Sequence, residues 1–66
     1  MTSGVVKWFN LAKGYGFIAV AGSQDVFVHH TGILGEGFRS LAKGQPVIFR
    51  LEWAKRGPQA RETRPA

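Results

Sequence analysis

Four ring-bearing side chains stand at alternate positions in two short runs of this 66-residue chain: Tyr15 and Phe17 in Lys13-Gly14-Tyr15-Gly16-Phe17-Ile18-Ala19-Val20, Phe27 and His29 in Asp25-Val26-Phe27-Val28-His29. If both runs are strands, alternation places these rings on one face and Ile18, Val20, Val26 and Val28 on the other. Antiparallel pairing would join the rings into one aromatic surface. The aliphatic face suffices for a small core, so the aromatic face is free for a flat ligand. Rings of this kind stack on nucleobases for about 1–3 kcal/mol per base with little regard to base identity.

The first run fits most of the RNP1 pattern, K/R-G-F/Y-G/A-F-V-x-F/Y, with Ile18 in the valine position and Val20 where an aromatic is expected. In that chemistry the rings stack, the glycines let bases approach, and Lys13 meets phosphate. The RNA-recognition motif domain that also carries RNP1 requires packed helices. No amphipathic helix follows here.

The elements that must hold these residues are short strands. Gly4 to Asn10 reads as strand one, with Val6 and Trp8 on one parity and Lys7 and Phe9 on the other; a regular strand keeps Val6 and Trp8 on one face, whereas a bulge or strong twist would bury Val6 and expose Trp8, and the residues alone leave both open. Tyr15 to Val20 and Asp25 to His29 form a hairpin across Ala21-Gly22-Ser23-Gln24. One 3₁₀ turn is expected near Thr31 to Leu34, then a long loop to Gln45 whose only aromatic is Phe38. Pro46 to Trp53 alternates, with Val47, Phe49, Leu51 and Trp53 inward and Ile48, Arg50 and Glu52 outward; Trp53 is read as closing the end of the barrel in preference to contacting nucleic acid. After a turn at Lys55-Arg56-Gly57-Pro58, Gln59 to Arg64 is a fifth strand with poor apolar content. Five short strands with glycine-rich turns predict an all-β, closed or nearly closed barrel, which removes exposed edges.

Sixty-six residues suit a single domain spanning 1–66 that buries only about 60% of its unfolded surface, leaving no room for a deep substrate cavity. There is no cysteine for a disulfide or a thiolate zinc site. No leader-like N-terminus and no apolar run of membrane-spanning length occur, which reads as cytoplasmic with no membrane partner. Nine Lys and Arg against four Asp and Glu give a formal net charge of +5, favouring a polyanionic partner. Five of the nine cations (Arg50, Lys55, Arg56, Arg61, Arg64) lie beyond residue 49. Lys55 and Arg56, beside the turn, are either solvated turn residues or phosphate contacts, and Arg56 is read as the latter.

His29-His30 invites a metal reading. Neighbouring strand residues point to opposite faces, however, and no third ligand is grouped with them, so no metal and no cofactor are expected. Asp25, His29 and a serine make a triad on paper only, since the chain lacks a G-x-S-x-G elbow and offers no pocket. Gly14 to Ala19 formally fits G-x-G-x-x-A, but a strand follows where the dinucleotide fingerprint needs a helix. No enzymatic activity and no small-molecule substrate are expected.

Taken together, Gly4-Val5-Val6-Lys7-Trp8-Phe9-Asn10, Lys13 to Ile18, Asp25 to His29, Gly37-Phe38-Arg39-Ser40-Leu41 and Gly57-Pro58-Gln59-Ala60 resemble the bacterial cold-shock proteins over essentially the whole chain. The resemblance implies a five-stranded antiparallel OB-fold barrel that binds single-stranded RNA and DNA as a monomer, melts RNA secondary structure as a chaperone, and affects transcription termination and translation. It implies that Trp8, Tyr15, Phe17, Phe27, His29 and Phe38 stack on or flank bases, with Lys7, Lys13 and Asp25 making polar contacts. Three features depart from the family pattern: His30 replaces a Phe or Gln, Glu62-Thr63 stands where Asn-Val is common, and the chain is basic where many relatives are acidic. His30 can still stack, though its ring is smaller. The competing reading is a ribosome-associated or protein-interaction OB module docking on folded RNA.

Overall fold

The computed structural model describes residues 1–35 and 40–66. Its elements are β1 (Thr2–Asn10), β2 (Tyr15–Ala19), β3 (Val26–His29), one 3₁₀ turn (His30–Gly32), β4 (Pro46–Ala54) and β5 (Gly57–Pro65). The strands close into a barrel in the order β1-β2-β3-β5-β4, with β4 returning to β1. Every pairing is antiparallel except the β3–β5 seam, a single parallel step at Phe27 and Gln59, continued by a parallel bridge between Ile33 and Thr63. Among the described residues no helix is long and apolar enough to cross a membrane.

Alternation works as expected in β2 and β3. Ile18, Val26 and Val28 are buried, and with Val6, Ile33, Leu41, Val47, Phe49 and Ala60 they form the core. In β1 the alternation breaks where it must: Val6 pairs with Ile18 but Trp8 pairs with Phe17, so Lys7 is an extra residue in the ladder. This bulge turns Val6 inward and Trp8 outward. Asn10 ends the strand, its side-chain oxygen accepting from the Lys13 N–H at 2.9 Å, and Gly14 turns the chain at φ 76°.

Two inward assignments in β4 are corrected. Val47 and Phe49 are fully buried, but Leu51 is 37% exposed and Trp53 66%. β1 pairs with β4 only as far as Phe49, so beyond it the β4–β5 hairpin projects without that third strand. Trp53 therefore does not close the barrel.

β5 hid its strand character behind small inward residues and a second bulge. Pro58, Ala60 and Thr63 are buried, the parity changing between 60 and 63 where the β4–β5 register shifts. Glu62 occupies the extra position at φ 52°, a left-handed conformation that asparagine adopts far more readily. Its carboxylate accepts from Arg50 Nε at 2.6 Å. Thr63 is fully buried with Oγ1 unpartnered among the described residues, and an unsatisfied buried hydroxyl costs about 1–3 kcal/mol. Thr63→Val is accordingly expected to raise stability by about 1 kcal/mol, read from the urea midpoint at constant slope. A midpoint below that of the parent would show the hydroxyl to be satisfied.

Candidate nucleic-acid interface

The β1 bulge and the β2–β3 hairpin bring four rings into one surface. Trp8 lies 5.7 Å from Tyr15 and 5.4 Å from Phe17 between ring centroids. Phe27 lies 5.9 Å from Tyr15 and 5.7 Å from Phe17. Each ring thus touches two others, in edge-on, tilted and stacked arrangements that suit aromatic quadrupoles. None of the four is fully buried, and Trp8 remains 39% exposed.

His29 extends the row, pairing across the hairpin with Tyr15. Its Nδ1 lies 2.9 Å from the Thr31 hydroxyl and accepts from the Thr31 N–H, which fixes the ring over the 3₁₀ turn. The expectation that His29 and His30 point to opposite faces is overturned: their ring centroids are 4.3 Å apart. The strand ends at His29, and the 3₁₀ backbone that begins at His30 swings the second imidazole beside the first. The His30 N–H also donates to the Gly14 carbonyl at 2.8 Å. No group of three or more His, Cys, Asp or Glu suited to a metal occurs among the described residues.

The glycines of the RNP1-like run face protein neighbours, which corrects their reading as openings for bases. A Cβ on Gly16 would collide with the Trp8 carbonyl oxygen and come within 2.7 Å of Phe9 Cα. One on Gly14 would lie 2.7 Å from His30 Cδ2. Gly16 therefore lets β2 approach the bulged strand, and Gly14 makes space for His30. The glycines act on the platform by placing Trp8 and His30.

Lys7 and Asp25 contact each other: Lys7 Nζ lies 2.8 Å from the Asp25 carboxylate. Lys13 is exposed in the β1–β2 turn. Phe38 lies outside the described residues.

Arg56 falls beside the aromatic surface. A groove of about 660 Å³ runs between Phe17, Gln24, Asp25 and Phe27 on one side and the 54–59 turn on the other. The expectation of a chain without a pocket is corrected here, because the projecting β4–β5 hairpin walls off one flank of the platform. Lys55, for which the sequence leaves a solvated turn residue and a phosphate contact both open, and Gln59, which sequence reasoning did not place at the site, line this groove with Arg56. The Phe27–Gln59 pairing brings them there, and a one-step parallel seam leaves no periodic trace in sequence.

On the outer side of the hairpin the charges are locally compensated. Arg50 reaches Glu62 at 2.6 Å and Glu52 at 3.2 Å, and Arg61 reaches Glu52 at 3.2 Å. The hydrogen bond from Arg61, followed by that from Arg50, holds the Glu52 carboxyl below its ordinary range. Glu52 is therefore ionised at neutral pH, and the stability its ion pairs lend is lost as pH falls through its lowered value. These arginines are committed to carboxylates of their own hairpin.

A closed five-stranded barrel carrying a contiguous row of partly exposed rings on its outer face, flanked by a cationic turn, defines an OB-type domain of the nucleic-acid-binding class. The family model of the "'Cold-shock' DNA-binding domain" matches residues 2–65. The chain is 62% identical over 60 residues to cold shock protein CspB of Geobacillus stearothermophilus and 60% identical to CspB of Bacillus caldolyticus, each over 91% of both chains. Cold shock protein CspD of Bacillus subtilis is 57% identical over the same span. This chain belongs to the cold-shock domain family, whose members bind nucleic acid and are not enzymes.

Because Gly16 sets the approach of β2 to the bulge, Gly16→Ala is expected to destabilise the domain by about 1–3 kcal/mol in urea unfolding followed by circular dichroism. The loss should be accompanied by altered native emission from Trp8. An unchanged midpoint would mean that the strands do not need this close approach.

Proposed function

We propose that this protein is a monomeric, single-domain, cytoplasmic binder of single-stranded RNA and DNA that keeps RNA unpaired as a chaperone, and through that activity affects transcription termination and translation. The observation that carries the reading is the ring row Trp8–Tyr15–Phe17–Phe27, continued by His29 and His30 and too exposed to be a core. A duplex hides the faces of its bases, whereas a single strand offers them to such a row. The protein then captures unpaired segments as they open, and the free energy of capture draws the RNA towards the open form. Binding energy alone drives this melting.

In this reading Trp8, Tyr15, Phe17, Phe27, His29 and His30 stack on or flank bases, and Phe38 joins them. Lys13 and Arg56 meet phosphates at opposite borders of the platform. The Lys7–Asp25 pair presents polar atoms to base edges beside Phe17 and Phe27. Support for the nucleic-acid partner comes from the family match and from the net charge of +5.

Phe17→Ala and Phe27→Ala are each expected to weaken binding of a labelled pyrimidine-rich single strand by about 1–3 kcal/mol while circular dichroism shows the barrel intact. Duplex of the same sequence should bind far more weakly to the parent. Equal affinities for duplex and single strand, or unimpaired variants, would favour an OB module docking on folded RNA. Lys13→Ala is expected to reduce the slope of log K against log salt by about 0.7 if it neutralises one phosphate, measured by anisotropy across a salt series. An unchanged slope would place Lys13 away from the backbone of the strand.

A further inference from the structure

The most exposed aromatic described in the chain is Trp53, 66% accessible on β4. Exposing a tryptophan forfeits more apolar burial than exposing any other side chain of this barrel would. It lies outside the ring row, and no aromatic partner contacts it among the described residues. Its one ladder partner is Pro58.

The position of Trp53 gives it a use. It sits on the projecting part of the β4–β5 hairpin, one residue before Ala54, where the groove lining begins. The turn that follows carries Lys55 and Arg56, both exposed, and neither forms an ion pair among the described residues. Trp53 shares the face of its ladder partner Pro58, itself a groove-lining residue, and not that of Glu52. A polyanion lying in the groove beside Phe17 and Phe27 therefore meets the two cations at the hairpin turn and, beyond them, a free indole.

We propose that Trp53 is a further stacking position, beyond the platform, for a single strand that leaves the Phe17–Phe27 end across the Lys55–Arg56 turn. The inference rests on the single-strand reading above and adds to it a longer footprint with a defined exit. Trp53 contributes nothing to strands that only fill the platform. It grips the continuation of longer ones, with Lys55 and Arg56 holding the phosphate at the bend.

The two tryptophans allow a test that separates this inference from the reading it rests on. Trp53→Phe leaves Trp8 as the sole indole, and Trp8→Phe leaves Trp53. Each variant is titrated to saturation with oligothymidines of about 6 and about 14 nucleotides, towards the short and long ends of the range that one OB fold spans. Trp8 emission should be quenched by both lengths and Trp53 emission by the longer alone. In parallel, Trp53→Ala should lower affinity about five- to tenfold for the longer strand, the low end of one lost stack, and leave the shorter unaffected.

Unchanged Trp53 emission with a long strand that quenches Trp8 would overturn the exit path while leaving the platform standing. So would a Trp53→Ala variant with a lowered Tm but unaltered affinity for both lengths, which would make Trp53 a clasp on Pro58. Trp53 emission that responds to protein concentration and not to the long strand would mark a self-association surface instead. If Trp8 is quenched by neither length, the single-strand reading itself fails and this inference falls with it.

Discussion

The single extra residue in β1 is the constraint on which the interface depends. A regular strand would place Val6 and Trp8 on the same side, burying a tryptophan in a core too small for it or exposing a valine the core needs. The bulge at Lys7 separates them, so one strand serves the core through Val6 and the outer surface through Trp8. The neighbouring strand must then approach a backbone that is locally kinked, and Gly16 permits this because a Cβ there would strike the main chain of β1. Trp8, once outward, is fixed by Tyr15 and Phe17 from the other side. Rings held this way lose little conformational freedom on stacking, which favours affinity through preorganisation.

A second bulge does the corresponding work at the closure of the barrel. The extra residue at Glu62 lets β5 switch inward parity between Ala60 and Thr63 while it runs against β4 along its whole length and meets β3 at Gln59. That seam places Gln59 against Phe27 and the Lys55–Arg56 turn beside the ring row. The closure is made with an unfavourable backbone residue and an unpartnered buried hydroxyl. The ion pairs of Glu62 and Glu52 with Arg50 and Arg61 lie on the exposed side, where such pairs contribute little each. The barrel is held chiefly by its aliphatic core.

What could be read from the sequence follows from where the period-two pattern survives. β2 and β3 are regular, and both the core face of Ile18, Val26 and Val28 and the ring face of Tyr15, Phe17, Phe27 and His29 were legible from alternation alone. β1 was legible except for its bulge, which the shared parity of Val6 and Trp8 signalled without locating. β5 was legible only faintly, because Pro58, Ala60 and Thr63 are small or polar and change parity at Glu62. The misassignment of Trp53 arose from extending β4's alternation past Phe49, where β1 no longer accompanies it. The pairing of His29 with His30 escaped because a strand rule was applied across the end of a strand. The groove residue Gln59 could not be found locally, since tertiary closure alone brings it to Phe27, whereas Lys55 was legible as a turn cation without its place in the groove.

The distribution of charge bears on how binding energy is divided in the proposed function. Every acidic residue described is matched by a basic neighbour: Asp25 by Lys7, Glu62 by Arg50, and Glu52 by Arg50 and Arg61. The cations left without such a pair among the described residues are Lys13, Lys43, Lys55, Arg56 and Arg64. Of these, Lys13 stands at the β1–β2 turn and Lys55 and Arg56 at the β4–β5 turn, on opposite borders of the ring row, and the neutralised Lys7–Asp25 pair lies at the Phe17–Phe27 end. Phosphate attraction is thereby concentrated at the borders, while stacking acts between them. A surface charged throughout would hold duplex and single strand alike, since both present phosphate. Rings in the middle and cations at the edges favour the strand whose bases are free, so the positive charge raises encounter rates without erasing the preference for unpaired nucleic acid.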